Sequence, residues 1–216
     1  MLQAGAPPLL DEGTFIIRRD TAELGRESFR FAAGRLAGGG TGWTLATTAR
    51  YDRTRPVVVL APILEVGLDS LPVKLQYDVA DPSAPLRILG QLGRGRFTVR
   101  FVAQAIERAR EFPVRGPTVV LDDSVFALYV FAAWRAAPEP QALTALFPRA
   151  ARREALTVQE HGLEPTTLHG DPVTLRHVTL TGGQHELVHL WLDPAGRLLK
   201  VEIPSRALTV ERLPAD

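Results

Sequence analysis

The chain has 216 residues, room for one large all-β domain or two small ones, and no cysteine, which excludes disulfides, thiolate catalysis and cysteine-held zinc. Its 25 basic and 24 acidic side chains leave a net charge of +1, so no global field draws it to nucleic acid or to an anionic membrane. Hydrophobic residues make up 45% of the chain, enough to bury a core. No apolar run approaches the roughly 18 to 20 residues of a spanning helix, and no transmembrane segment is expected.

The start, Leu2-Gln3-Ala4-Gly5-Ala6-Pro7-Pro8, has neither the basic nor the apolar stretch of a secretory signal. Its small, Pro/Ala/Gly composition is what a trimmed exported chain leaves, so a periplasmic or otherwise exported protein is expected; a cytoplasmic chain with a frayed start fits the same residues. Residues 1–12 read as a flexible segment ahead of one domain spanning 13–216.

From there the pattern is alternation with a period of two, broken by Gly, Pro and Asp. Phe15 and Ile17, then Phe29 and Phe31 beyond a turn near Asp20 and Thr21, form a first hairpin. Trp43, Leu45, Thr47, Ala49 and Tyr51 share one face of a half-buried strand, with Thr44, Ala46, Thr48 and Arg50 on the other. Arg55 to Leu60, Val73 to Val79, Leu86 to Leu92 and Phe97 to Phe101 follow. Ala103 to Glu111 suits either helix or strand.

A helix is expected from about 124 to 136, with Asp122 and Asp123 at its start and Pro138 and Pro140 past its end. Its sequence is apolar all round, so it must be enclosed by protein or ligand. Strands resume at Leu143 to Phe147, Glu154 to Gln159, Val173 to Leu180, Glu186 to Leu192, Leu198 to Ile203 and Ala207 to Leu213. Asp193-Pro194-Ala195-Gly196 spells a type I turn with a left-handed Gly, which would set Trp191 opposite Leu199 and His189 opposite Val201. Read as a two-residue turn, Gly182-Gly183 places His177 opposite Val188, on the face away from His189; a bulge of one residue would reverse that. These elements predict an α+β, mostly β fold: a strongly curved antiparallel sheet, or open barrel, wrapped around one apolar helix.

The closing stretch Trp191 to Glu202, the opening hairpin with Gly25, Glu27 and Phe29, and Leu121-Asp122-Asp123-Ser124 resemble exported bacterial β proteins of the LolA/LolB lipoprotein-carrier type. The resemblance implies a curved sheet over an apolar cavity closed by a helix. It also implies a non-enzymatic envelope protein that binds a lipid, acyl chain or other apolar molecule, or a protein partner; no cofactor is expected, and the balanced charge argues against nucleic acid.

Trp43, Tyr77, Phe126, Tyr129, Phe131 and Trp134 are the candidate lining of such a cavity, or of a packed core. Asp122 and Asp123 suit helix capping, or an acid–base pair of carboxylates. His185-Glu186-Leu187-Val188-His189 matches the letters of a zinc protease motif, and with His169 or His177 as a third ligand would make a zinc hydrolase, the alternative reading. That motif works on a helix; on a strand His185 and His189 stand about 13 Å apart. A third reading is a structural subunit of an envelope assembly. Gly38 to Gly42 reads as a hairpin loop without the Lys of a phosphate loop. Arg94, Arg96 and Arg100 read as a solvated stripe opposite Phe97 and Phe101.

Overall fold

The computed structural model describes residues 9–103, 106–183 and 187–214. In chain order the strands are β1 (Leu9–Arg19), β2 (Ala22–Arg35), β3 (Thr41–Tyr51), β4 (Val58–Gly67), β5 (Pro72–Ala80), β6 (Leu86–Gly93), β7 (Arg96–Ala103) and β8 (Ile106–Pro113). After them come β9 (Thr118–Val120), β10 (Gln141–Phe147), β11 (Arg152–Leu168), β12 (Asp171–Thr181), β13 (Leu187–Leu192), β14 (Leu198–Ile203) and β15 (Leu208–Arg212). All fifteen belong to one sheet, ordered β8-β7-β6-β5-β4-β3-β2-β1-β15-β14-β13-β12-β11-β10-β9. The pairing of β9 with β10 is parallel, and the other neighbours among the described residues run antiparallel.

This order dictates curvature. The chain starts mid-sheet, meanders to one edge at β8, and crosses to the opposite edge at β9 through Val114 to Pro117 alone. Such a link reaches at most about 19 Å, whereas a flat sheet of this many strands is on the order of 65 Å wide. The sheet must curl until its edges are close, and β9 accordingly lies against β5 across the interior. The meander then returns to β1, where Phe15 faces Arg212 and Ile17 faces Val210.

The inner face carries the core expected from alternation: Phe15, Ile17, Phe29, Phe31, Leu45, Ala49, Leu75, Tyr77, Ile88, Phe97 and Val99, then Val178, Leu180, Leu190, Val201 and Val210 on the returning strands. Gly25 marks a close approach on this face: a Cβ there would lie 2.1 Å from the carbonyl oxygen of Arg50 on β3. Gly25→Ala is therefore expected to lose about 1 to 3 kcal/mol in urea unfolding, the usual cost of overpacking; wild-type stability would refute the contact.

Several expectations are corrected. The helix is far shorter than 124–136: a 3-10 turn, Ala127–Tyr129, runs into one α-helical turn, Val130–Ala133. Asp122 bridges to Val125 and Ser124 stays in the loop, so the chain becomes helical only after Phe126. Strand β1 already includes Leu9 to Glu12, and Arg212 on β15 holds Asp11 there through two hydrogen bonds of 2.9 and 2.7 Å. β11 continues to Leu168, absorbing a bulge between Glu160 and Gly162, a position with φ of 84°. The Asp193–Gly196 turn forms as expected, but a bulge at Leu199 sets Trp191 opposite Lys200 and His189 opposite Glu202.

The connection after β12 is also longer than two residues. Thr181 pairs with Leu187, so His177 faces Trp191 and Thr179 faces His189, on one face. The long β11–β12 hairpin folds over the outer side of β14 and β15. Its tip is fastened there by the His169 N–H donating to Glu211 and by the Lys200 ammonium donating to the Thr167 carbonyl, at 3.0 and 2.7 Å.

Candidate functional site

Polar networks and open surface concentrate at several places among the described residues. The first is in the core. Alternation along β2 puts Glu27 on the same face as Phe29 and Phe31, and it is fully buried. Its carboxylate accepts the N–H of Phe126 at 2.7 Å, the N–H of Ala127 at 3.0 Å and the hydroxyl of Thr47 at 2.7 Å. These N–H groups belong to the start of the helical segment, where no intrahelical acceptor exists. Glu27, from a distant strand, thus does the capping expected of Asp122 and Asp123. Burial pushes its pKa up to about 7, more than the three hydrogen bonds pull it down.

The second place is the loop before that segment. Asp122 takes two hydrogen bonds from Arg149, at 2.9 and 2.8 Å, and also accepts the N–H of Ser124. Asp123 is held likewise by Arg152, at 2.7 and 2.9 Å, and Arg206 donates to its carbonyl. Tyr51 donates to the Ser124 carbonyl at 2.7 Å. The adjacent carboxylates point to different arginines, so they do not share a proton; each is neutralised by a guanidinium. This is a fastening, with the arginine and tyrosine ties reaching far along the chain.

The six candidate lining residues pack in this same interior. Trp134 contacts Trp43, Phe31 and Phe131 with ring centroids 5.1 to 5.4 Å apart, and Phe126 stacks on Tyr129 at 6.1 Å. Tyr77 is buried in the core on β5. The hydroxyls of Tyr77 and Tyr129 lack a hydrogen-bond partner among the described residues, and burial holds both protonated. The voids around this set are small: about 20 Å³ beside Ala127 and Val130, and about 10 Å³ beside Tyr129. Either has room for about one water and none for a ligand chain.

The third place is a row of rings on the outer face. His177 stacks on Trp191, centroids 4.1 Å apart, and lies 5.0 and 5.1 Å from His161 and His189. Its Nδ1 is 2.7 Å from Glu164 and its Nε2 is 2.8 Å from Nδ1 of His189, while Trp191 donates to Glu202 at 3.1 Å. Burial lowers the pKa of His177 despite the carboxylate. The neutral ring therefore donates to Glu164 and accepts from His189. Of the zinc string, His189 stands on strand β13, and His185 and Glu186 lie outside the described residues. His169 is elsewhere, at the hairpin tip against the carbonyl of Arg212. Among the described residues no three His, Asp or Glu side chains are placed to hold a metal ion.

The fourth place lies where the sheet's edges approach. Leu86, Phe101 and Ala103 from β6 and β7, residues 108–110 of β8, and Arg149 to Ala151 from the β10–β11 turn line an open groove of about 520 Å³. That is within the usual 300 to 1,000 Å³ of small-molecule sites. It exists because β9 is short and, among the described residues, pairs with β10 alone, leaving the inner face of β7 and β8 uncovered beyond Phe97, Val99 and Phe112. Alternation continues past Phe112 to Arg110 and Arg108, so arginines stand beside apolar floor. This site was hidden in the stretch that suited either helix or strand; read as a strand, Phe112, Arg110 and Arg108 share a face. The Arg96 and Arg100 stripe on the opposite face is paired with Glu111 and Glu107, as a solvated surface.

No protein-family model matches the chain, and no curated protein matches it. In fold it is similar to the crystal structure of a β-barrel-like protein of domain of unknown function DUF1849 from Brucella abortus, with a TM-score of 0.58 over 94% of each chain and 12% identity. At that identity the likeness shows the fold alone: a β-barrel-like, predominantly antiparallel curled sheet. No described helix is long and apolar enough to cross a membrane.

Proposed function

We propose that this protein is a non-enzymatic binding protein of the cell envelope that holds an apolar chain, such as the acyl chain of a lipid, in the groove between the edges of its sheet. The observation that carries the reading is the groove itself: concave, floored by Leu86, Phe101 and Ala103, and left open by a curled sheet whose edge strands β8 and β9 do not pair among the described residues. The resemblance to lipoprotein carriers supports the same class of ligand, and the exported location belongs to the proposal. Here the packed helical segment occupies the interior, so the ligand lies at the seam.

Titration with cis-parinaric acid, whose fluorescence rises in apolar surroundings, tests this. Saturable binding is expected, weakened about tenfold or more by Ala150→Trp, in which an indole from the exposed turn fills the groove. Unchanged binding by a folded Ala150→Trp protein, or none by the wild type, would overturn it.

A further inference from the structure

We infer that the groove selects an amphiphile with an anionic head, recognised by Arg108 and Arg110; this rests on the apolar-chain reading above and adds the chemistry of the other end of the ligand. Three guanidinium groups border the groove: Arg108, Arg110 and Arg149. They are not equivalent. Arg149 is spent on Asp122 through two hydrogen bonds and reaches Ser124 with a third. Arg108 and Arg110 are exposed and have no carboxylate within ion-pair distance among the described residues. The carboxylates of their own strand, Glu107 and Glu111, point to the opposite face and are engaged by Arg100 and Arg96.

Their position matters as much as their charge. Arg108 and Arg110 continue the inner-face row of β8, one and two steps beyond the buried Phe112, and Arg110 lies 5.3 Å above that ring. Each therefore stands over the groove with its guanidinium at the boundary between apolar floor and water. Inward-pointing charge also keeps an edge strand from pairing with another chain, but one charge of either sign serves that end. Two of the same sign, without counter-charge and beside apolar floor, match a head that supplies negative oxygens in the fork geometry arginine prefers. A carboxylate or a phosphate has that chemistry; a neutral or cationic head leaves both arginines without a partner.

The experiment compares cis-parinaric acid with its methyl ester on the wild type, the Arg108→Ala/Arg110→Ala double variant and the Ala150→Trp variant. The acid is expected to bind the wild type about tenfold more tightly than the ester, a difference the double variant abolishes. Both sites are exposed strand positions, so near-wild-type unfolding is expected of the variant. Equal binding of acid and ester, both lost in Ala150→Trp, would overturn the anionic head while the groove stands. Binding of neither would overturn the groove as well, and binding of both in Ala150→Trp would place the chain elsewhere. Competition by oleate and by lysophosphatidylglycerol assigns the source: displacement by either at lower concentration than by lysophosphatidylcholine supports the anion, and the stronger competitor shows whether carboxylate or phosphate is preferred. Equal displacement by all three would overturn it.

Discussion

Glu27→Gln is expected to remove most of one pH dependence from the stability of this protein. Glu27 is fully buried and its pKa is near 7 in the fold against an ordinary value of 4.5. Below pH 4.5 the carboxyl is protonated in both states. As pH rises from 4.5 to 7 the unfolded chain releases the proton and the folded chain keeps it, so folding loses stability across that window. A shift of this size corresponds to about 3 kcal/mol by pH 8. On protonation the contact with Thr47 reverses: the acid hydrogen donates to the Thr47 hydroxyl, and Thr47 keeps its donation to the Ser28 carbonyl at 3.1 Å. Glutamine does not titrate, so urea unfolding of Glu27→Gln should change about 3 kcal/mol less than wild type between pH 4.5 and 8. His177, with its lowered pKa, works the other way, losing stability as pH falls through 6.5, and it is common to both proteins. Parallel stability profiles for the two would refute the assignment. Near pH 4.5, where the wild type keeps this contribution, Glu27→Ala should cost about 2 to 4 kcal/mol, because the N–H groups of Phe126 and Ala127 lose their acceptor inside the core, and the cost should shrink as pH rises toward 8.

The second large effect is expected at Arg149. Asp122 is nearly inaccessible, with its side chain 3% exposed, and Arg149 supplies the countercharge. Arg149→Met keeps the aliphatic stem and leaves a buried carboxylate with the Ser124 N–H as its remaining hydrogen bond, at a cost of about 3 to 5 kcal/mol. The double variant Asp122→Leu/Arg149→Met should be closer to wild type than Arg149→Met alone, since no charge is then left unpaired. Thermal unfolding of both singles and the double measures the coupling. Additive losses would mean that the pair contributes nothing beyond its two side chains. The same loop is tied by Arg152, Arg206 and Tyr51, so the loss should appear as reduced global stability, with the fold kept.

Most strands were legible because alternation states both the element and its face. Phe15 and Ile17, Leu45 and Ala49, and Phe97 and Val99 are buried as that rule requires. The same rule contains Glu27, a carboxylate in phase with Phe29 and Phe31, but alternation alone does not mark it as a cap, because its partners lie about a hundred residues away. The helix was overextended because an all-apolar stretch satisfies burial in any conformation. Its composition asks to be enclosed and does not say how many turns do the enclosing.

What was illegible is mostly offset between strands. A bulge at Leu199 and a longer connection after Thr181 exchanged the partners of His177 and His189, since one residue of slip carries a side chain to the other face. That slip made the row of His161, His177, His189 and Trp191, a cluster drawn from three neighbouring strands, β11, β12 and β13. The groove is of the same kind: it depends on how far the curled sheet stops short of closing, which no local pattern encodes.

By itself the sequence determined the number and faces of most strands, the Asp193–Gly196 turn, the absence of disulfides and the apolar character of the segment before Pro138. Those properties follow from side-chain period, backbone preference and composition, which act within a few residues. Tertiary structure alone decided that β15 pairs with β1 and that β9 crosses to the far edge beside β10, that Glu27 caps the helical segment, that Asp122 and Asp123 serve separate arginines, and that Arg108 and Arg110 face an open groove. Those follow from a four-residue link forcing two distant edges together, a constraint that exists only once the whole sheet is built.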